Sequence, residues 1–288
     1  MDYAAVVVLE ILYMIAFLAL TSAGLAVVFG MMRVINLAHG EFVMVGGYTT
    51  IACFHAGLDI WFSMLVVAPL VVGLMGLLVE RIVIRFLYGR LIDTMLATWG
   101  LSLLIVGLIT LIFGNSAVSV QAPIGFYEIG QFQMGGYNLF IIGIAILLLL
   151  AMWMVMRFTR VGLIARGAMQ NRDVAASLGY NPERIYMWTF TVGAALSGLA
   201  GGVLAPLTGL LPSVGSAYIA KSFITVITGG AAIITGTVSS SVLFGAVNQI
   251  ASFAFMPVVG EIAMLTLAII LLRLMPQGIT GRFFKNSA

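Results

Sequence analysis

Asn36, His39 and Glu41 place an amide, an imidazole and a carboxylate close together between two apolar runs. Three chemistries deserve weighing at such a segment. A metalloprotease-type zinc site needs His-Glu-x-x-His on a helix. That pattern is absent, because Glu41 follows Gly40 and the only other histidine is His55. Cys53 is the only cysteine, so a closed zinc site built from Cys and His also lacks its ligands. No nucleophile and base stand out as a pair for covalent catalysis. The remaining readings are compatible with each other. The segment is a cytoplasmic turn into a capped helix, with Asn36 or His39 as cap, Gly40 permitting the bend and Glu41 favoured at the helix N-terminus. The other reading is a gate or pathway element, because ionisable groups at membrane depth are costly and mark function.

A second segment carries interaction chemistry. The stretch from Arg157 to Arg184 is too long for a turn and holds Arg157, Arg160, Arg166, Arg172 and Arg184. Its centre, Ile164 to Leu178, contains no proline and has helical propensity. Gly179 is a helix stop, and Asn181-Pro182-Glu183 is a start signal for the next helix. An interfacial helix on lipid headgroups is one reading. However, Ala168, Val174, Ala175, Ala176 and Leu178 are modest anchors, and Asn171 and Asp173 interrupt any basic face. Arg166, Gln170, Asn171 and Arg172 beside Val174, Ala175 and Leu178 suit a protein groove better than a bilayer.

The elements that must position these groups are membrane helices. The chain is 62% hydrophobic and 8% charged, against about 25% charged residues in soluble domains. All of its 13 Lys and Arg residues except Lys221 fall in four gaps between apolar runs, around Arg33, Arg81 to Arg90, Arg157 to Arg184, and Arg273 to Lys285. Basic residues mark the cytoplasmic side, so the pI near 9.2 reflects topology and not nucleic-acid binding. Spanning takes about 20 apolar residues, which gives spans at roughly 4–30, 41–57, 61–84, 94–114, 137–157, 186–206, 218–236, 239–256 and 260–275. This is an all-α, polytopic helical bundle of about eight or nine spans in one transmembrane domain over 1–288. The N-terminus is outside and the C-terminus inside. The count falls to eight if 41–57 or 218–236 is re-entrant. The start reads as a retained helix and not a cleaved signal.

Small residues crowd two regions: Gly193 to Gly202, and Gly229, Gly230, Ala231 and Ala232 followed by Ser239, Ser240 and Ser241. They serve tight helix packing, or they line a translocation path through interrupted helices. With Asn248, the cluster at Gly229, Gly230 and Ser239 is a candidate pathway of small and polar groups.

These residues resemble the permease subunit of ATP-binding-cassette importers for branched-chain amino acids, urea and short amides, over about 20–285. The most specific pieces are Ile35 to Phe42 with Gly46-Gly-Tyr48, and the loop Gly162 to Gly179, which is similar to the family's coupling loop. Gly229 to Gly236 and Pro276-Gln-Gly278 with Gly281 resemble two further family motifs. Ala232 stands where a glycine is usual and Thr235 where a proline is common. Leu96 to Gly100, Gln170 to Arg172 and Tyr218 to Phe223 lean toward the urea and amide branch, although an acidic residue is usual there where Lys221 stands.

The chain has no Gly-x-x-x-x-Gly-Lys-Ser/Thr loop and so cannot hydrolyse ATP itself. The resemblance implies two separate ATPase subunits that use ATP and Mg, a second permease subunit, and an external solute-binding protein. It implies a multi-pass protein of the bacterial inner membrane that binds no cofactor or metal of its own and is not an enzyme. The rival class is a proton-coupled secondary transporter or channel. Its candidates Glu10, Glu41, Glu261 and Lys221 are all expected near span ends, with no aligned acidic relay.

Overall fold

The computed structural model describes residues 2–129, 132–230 and 232–283. Lys285 and Ala231 lie outside the described residues. Helix α1 (Asp2–Met32) is followed by α2 (His39–His55) and by α3 (Ile60–Phe62), which continues through a π-helical turn at Ser63–Val67 into α4 (Ala68–Ile82). Then come α5 (Leu91–Phe113), an antiparallel hairpin of β1 (Phe126–Ile129) and β2 (Phe132–Gly135), and α6 (Gly136–Phe158). Two short helices, α7 (Arg160–Gln170) and α8 (Arg172–Ser177), precede α9 (Pro182–Leu204). The chain ends with α10 (Val214–Gly229), α11 (Ile233–Ala254), α12 (Pro257–Leu274) and α13 (Gly278–Phe283). The protein is all-α and polytopic, and among the described residues seven helical stretches are long and apolar enough to cross a membrane. The short α2 and α10, of 17 and 16 residues, are not among them. They coincide with 41–57 and 218–236, either of which was expected to be re-entrant if only eight segments cross.

Two boundaries differ from the sequence reading. The expected 218–236 span stops at Gly229, because Gly230 takes a left-handed φ of +88° and Ala232 is extended. The hairpin between α5 and α6 was not foreseen, since its strands alternate too briefly to stand out from a loop.

The chain groups into two compact units. One comprises Met1–Ser22, Ala122–Leu149 and Lys221–Ala288, and the other Ala23–Gln121 and Leu150–Ala220. Within the second unit, α9 is the central helix. A Cβ on Gly201 would lie 1.7 Å from the Val43 carbonyl oxygen, and one on Gly198 would lie 2.8 Å from that of Ala68. Gly193 packs on Gly24 of α1, and Gly76 of α4 packs on Ala194. The small residues from Gly193 to Gly202 therefore let three helices approach one backbone, where lipid supplies no hydrophobic drive to press helices together. Large apolar side chains such as Leu70, Leu74, Leu103 and Leu111 point outward, as lipid-facing positions do.

Candidate functional site

Helix α1 ends where Arg33 takes a φ of +52°. The next residues do not continue away from the helix. Gly24 of α1 and His39 both reach Ser197 of α9. At about 1.5 Å per residue, Gly24 lies roughly 12 Å back from the end of α1, and Ser197 roughly 22 Å along α9. Residues 33–38 thus return into the span layer, and α2 starts inside it. Irregular backbone at that depth must be enclosed by protein and have its polar groups satisfied. Val34, Asn36 and Ala38 are buried. The Leu37 N–H donates to Thr98 Oγ1 at 3.0 Å, and that hydroxyl also lies 3.5 Å from the Ile35 carbonyl. The Ala38 N–H donates to Asn36 Oδ1 at 3.0 Å.

This geometry corrects three expectations. Neither Asn36 nor His39 caps α2: the cap position is Ala38, without a side-chain bond, and Asn36 closes the turn before it. His39 is the first helical residue, and its Nδ1 is 3.2 Å from Ser197 Oγ. Gly40 does not make the bend. It lies in the helix, where a Cβ would come within 1.9 Å of the Gly215 carbonyl oxygen. Glu41 does occupy the first turn of α2. Its carboxyl carbon is 3.0 Å from the position of a Cβ on Gly215, the second residue of α10. One buried carboxylate therefore faces the N-terminal turns of two helices, whose partial positive ends favour a negative charge. Ser102 hydrogen-bonds the carboxylate, while Oε2 is buried without a hydrogen-bond partner.

The residues of the expected pathway cluster are in the other unit. Gly229 meets Gly236 backbone to backbone, where a Cβ on Gly229 would be 2.6 Å from the Gly236 carbonyl. Gly230 and Gly278, with φ of +88° and +76°, stack so closely that a Cβ on Gly278 would be 2.5 Å from Gly230 Cα. Thr280 Oγ1 donates to the Gly229 carbonyl at 2.7 Å and accepts from the Ala232 N–H at 3.4 Å. The motif at Pro276-Gln-Gly278 is thus the clasp on the break between α10 and α11. Ser239 and Ser240 donate back to the Gly236 carbonyl, and Asn248 lies buried farther along α11.

The segment between α6 and α9 is two helices and not the single helix expected over Ile164 to Leu178. Thr159 caps α7 through the Gly162 N–H. Asn171 ends α7 and caps α8, accepting from the Asp173 and Val174 N–H groups. An asparagine side chain that competes for backbone donors breaks a helix it would otherwise occupy. Gly179, at φ +86°, stops α8, and Asn181 caps α9. Ala175 is not an outward anchor: it is 6% exposed and packed inside the chain, whereas Val174 and Leu178 are 52% and 71% exposed. Arg166 bonds the Met156 carbonyl. Arg172 stacks over Tyr186 at 5.7 Å, Tyr186 meets Tyr88 edge-on at 5.2 Å, and Tyr88 donates to the buried Glu80. Burial, and then the bond to Glu80, hold the Tyr88 phenol above its ordinary pKa, so it remains a donor. Arg85 pairs with Glu183 at 3.2 Å. The second and third basic segments are therefore tied together at the base of α8, beside a cleft of about 620 Å³ lined by Asp173, Tyr180 and Asn181 among others. Gln170 closes α7.

Sequence reasoning missed Thr98, Gly215, Tyr88 and Tyr186 as site residues, and placed Ser197 only within the small-residue cluster of α9. Thr98 lies in the Leu96 to Gly100 stretch that carried the branch resemblance, which was the available signal. No group of three or more His, Cys, Asp or Glu residues able to hold a metal occurs among the described residues.

Residues 7–275 match the family described as branched-chain amino acid transport system / permease component. The chain is 28% identical over 287 residues to the high-affinity branched-chain amino acid transport system permease protein LivH of Salmonella typhimurium, covering 92% of this chain and 91% of that protein. It is 27% identical to LivH of Escherichia coli K12, with 92% and 91% covered, and 26% identical to BraD of Pseudomonas aeruginosa, with 92% and 91% covered. PsaBC from Streptococcus pneumoniae, solved in complex with Fab, shares the fold at a TM-score of 0.52 and 15% identity over 96% of this chain and 93% of that one. With 269 consecutive residues inside the match (7 to 275), this chain belongs to the permease-component family of branched-chain amino acid transport systems.

Proposed function

We propose that the protein is the membrane permease subunit of an ATP-driven importer in the bacterial inner membrane. It carries a small polar solute with no net charge, which is a branched-chain amino acid, as the names of its relatives suggest, or urea or a short amide. The chain works with a second permease subunit, two ATPase subunits that supply ATP and Mg chemistry, and an external solute-binding protein. Its N-terminus is outside and its C-terminus cytoplasmic, following the distribution of basic residues.

The observation that carries this reading is the braced pair α7 and α8 between two spans. It presents Val174 and Leu178 outward while its own chain holds Ala175. A short rigid helix with exposed apolar anchors suits a groove on a partner. ATPase closure would then move α8 together with α9, a lever between two gating states. Ala175 is internal, so Ala175→Glu would disturb the permease itself, and the exposed Val174 and Leu178 are the residues that test docking. Val174→Asp with Leu178→Asp is expected to leave the chain in the membrane at normal levels, release the ATPase chains on purification and abolish uptake. Retained ATPase binding with normal solute-stimulated hydrolysis would remove α8 as the coupling element. A wild-type chain that purifies without any ATPase and moves solute on a proton gradient would instead support the secondary transporter.

A further inference from the structure

The rings at the base of α8 lead away from it. Arg172 of α8 stacks over Tyr186 of α9, and Tyr186 meets Tyr88 edge-on. Tyr88 belongs to the connection between α4 and α5, so the stack joins the exposed helix to a separate stretch of chain. That connection is gripped on both sides. Glu80, buried near the end of α4, accepts from the Tyr88 hydroxyl. A buried carboxylate is costly without its donor, so this contact is held firmly. On the other side, the buried Thr94 in the first turn of α5 donates from Oγ1 to the Leu87 carbonyl at 3.1 Å. Thr98 lies one helical turn farther along α5, about 6 Å away. Its Oγ1 answers the Leu37 N–H at 3.0 Å. An unbroken series of contacts thus runs from α8 to the return at residues 33–38. Such contiguous packed and hydrogen-bonded groups carry coupling between distant sites when an element has two arrangements. A lever along α9 alone makes no use of them.

We infer that the connection between α4 and α5 is a second coupling arm, in which Tyr186 is the positioning residue that passes displacement of α8 through Tyr88 and α5 to residues 33–38. The inference rests on the permease reading above. Docking of α8 on an ATPase moves Arg172 and the two rings together. Tyr88 carries its connection with them, and α5 follows through Thr94. At Thr98 the movement strengthens or weakens the bond on which the Leu37 N–H depends.

The test uses the assembled importer with its binding protein in proteoliposomes. Tyr186→Leu removes the ring that joins Arg172 to Tyr88, whereas Tyr186→Phe keeps it. Tyr186→Leu is expected to retain its ATPase chains and to hydrolyse ATP near the wild-type rate. With labelled L-leucine and labelled urea both supplied, it should move roughly fivefold less solute per ATP. Tyr186→Phe should restore the wild-type ratio. Hydrogen exchange gives a second readout that does not depend on the solute. In the wild type, a non-hydrolysable ATP analogue should change exchange at residues 35–38, and in Tyr186→Leu it should not. Thr94→Val cuts the arm at α5 and should show both losses, which decides the matter if Tyr186→Leu does not reach the membrane. A wild-type solute ratio with a wild-type nucleotide response in either variant would overturn the inference and leave α9 as the lever. Failure of Tyr186→Phe alongside Tyr186→Leu would overturn it as well, because the ring contacts would not be what matters. Release of the ATPase chains by Tyr186→Leu would assign the residue to docking and not to the arm. A wild-type chain that purifies without any ATPase would overturn the permease reading itself, and the arm with it.

Discussion

The chain is broken twice near its small or polar motifs, and the two breaks are held in opposite ways. Between α1 and α2 the return is held by side chains: Thr98 answers the Leu37 N–H, Asn36 answers the Ala38 N–H, His39 meets Ser197, and Glu41 faces the first turns of α2 and α10. Between α10 and α11 the break is held mainly by backbone: Gly229 against Gly236, and Gly230 against Gly278, with Thr280 as a side-chain clasp. A side-chain network can loosen one bond at a time, each worth about 0.5–1.5 kcal/mol net. A backbone contact has no such gradation, because any Cβ must displace the opposing chain. The first break can therefore be weakened by steps, whereas the second tolerates no added atom.

The largest expected effect breaks the second site. At Gly230, a leucine would carry both the left-handed φ, costing about 1–3 kcal/mol, and an overpacked contact, costing about 1–3 kcal/mol more. Gly230→Leu is therefore expected to deplete the protein from the membrane and lower its melting temperature in detergent, and not to yield a folded but blocked transporter. Normal abundance with blocked uptake would place Gly230 at a constriction and undo the contrast drawn here.

An intermediate effect is expected at Thr98→Val, which keeps the shape and removes the hydroxyl. It leaves the half-buried Leu37 N–H unanswered, a loss of about 1 kcal/mol, up to about 3 if water cannot reach it. The melting temperature in detergent should fall accordingly while the protein still assembles. Hydrogen exchange should rise at residues 35–38 before it rises elsewhere. Unchanged exchange there would mean that the return is held by packing alone.

The smallest change in stability is expected at Glu41→Gln. Removing one charge from helix N-termini is worth roughly 0.3–2 kcal/mol, the upper end applying to partly buried geometry. The variant should fold and assemble, with altered uptake and altered basal ATPase rate of the complex. Loss of assembly would make the carboxylate a structural latch and align this break with the glycine-held one.

The sequence by itself determined the membrane class, the approximate positions of the long apolar helices, and the capped start of α9. Composition and local signals suffice for these: apolar length sets a span, basic residues mark its end, and Asn181-Pro182-Glu183 starts a helix without outside help. Local pattern also found the segment from Asn36 to Glu41 but misjudged the roles within it, because the partners that assign those roles are distant. Ser197 is 158 positions from His39, and Thr98 is 61 from Leu37. Asn171 looked like one more polar residue on a helix until its side chain was seen to take the α8 N–H groups. Gly40 read as a bend and proved to be a point of contact, since a missing Cβ serves a turn and a close approach equally well. Only the tertiary structure decided which glycines touch, that Ala175 faces inward, and that Lys221 meets Glu261 near the middle of α10. Burial and long-range pairing are properties of two segments at once, and no single stretch of chain encodes its own partner.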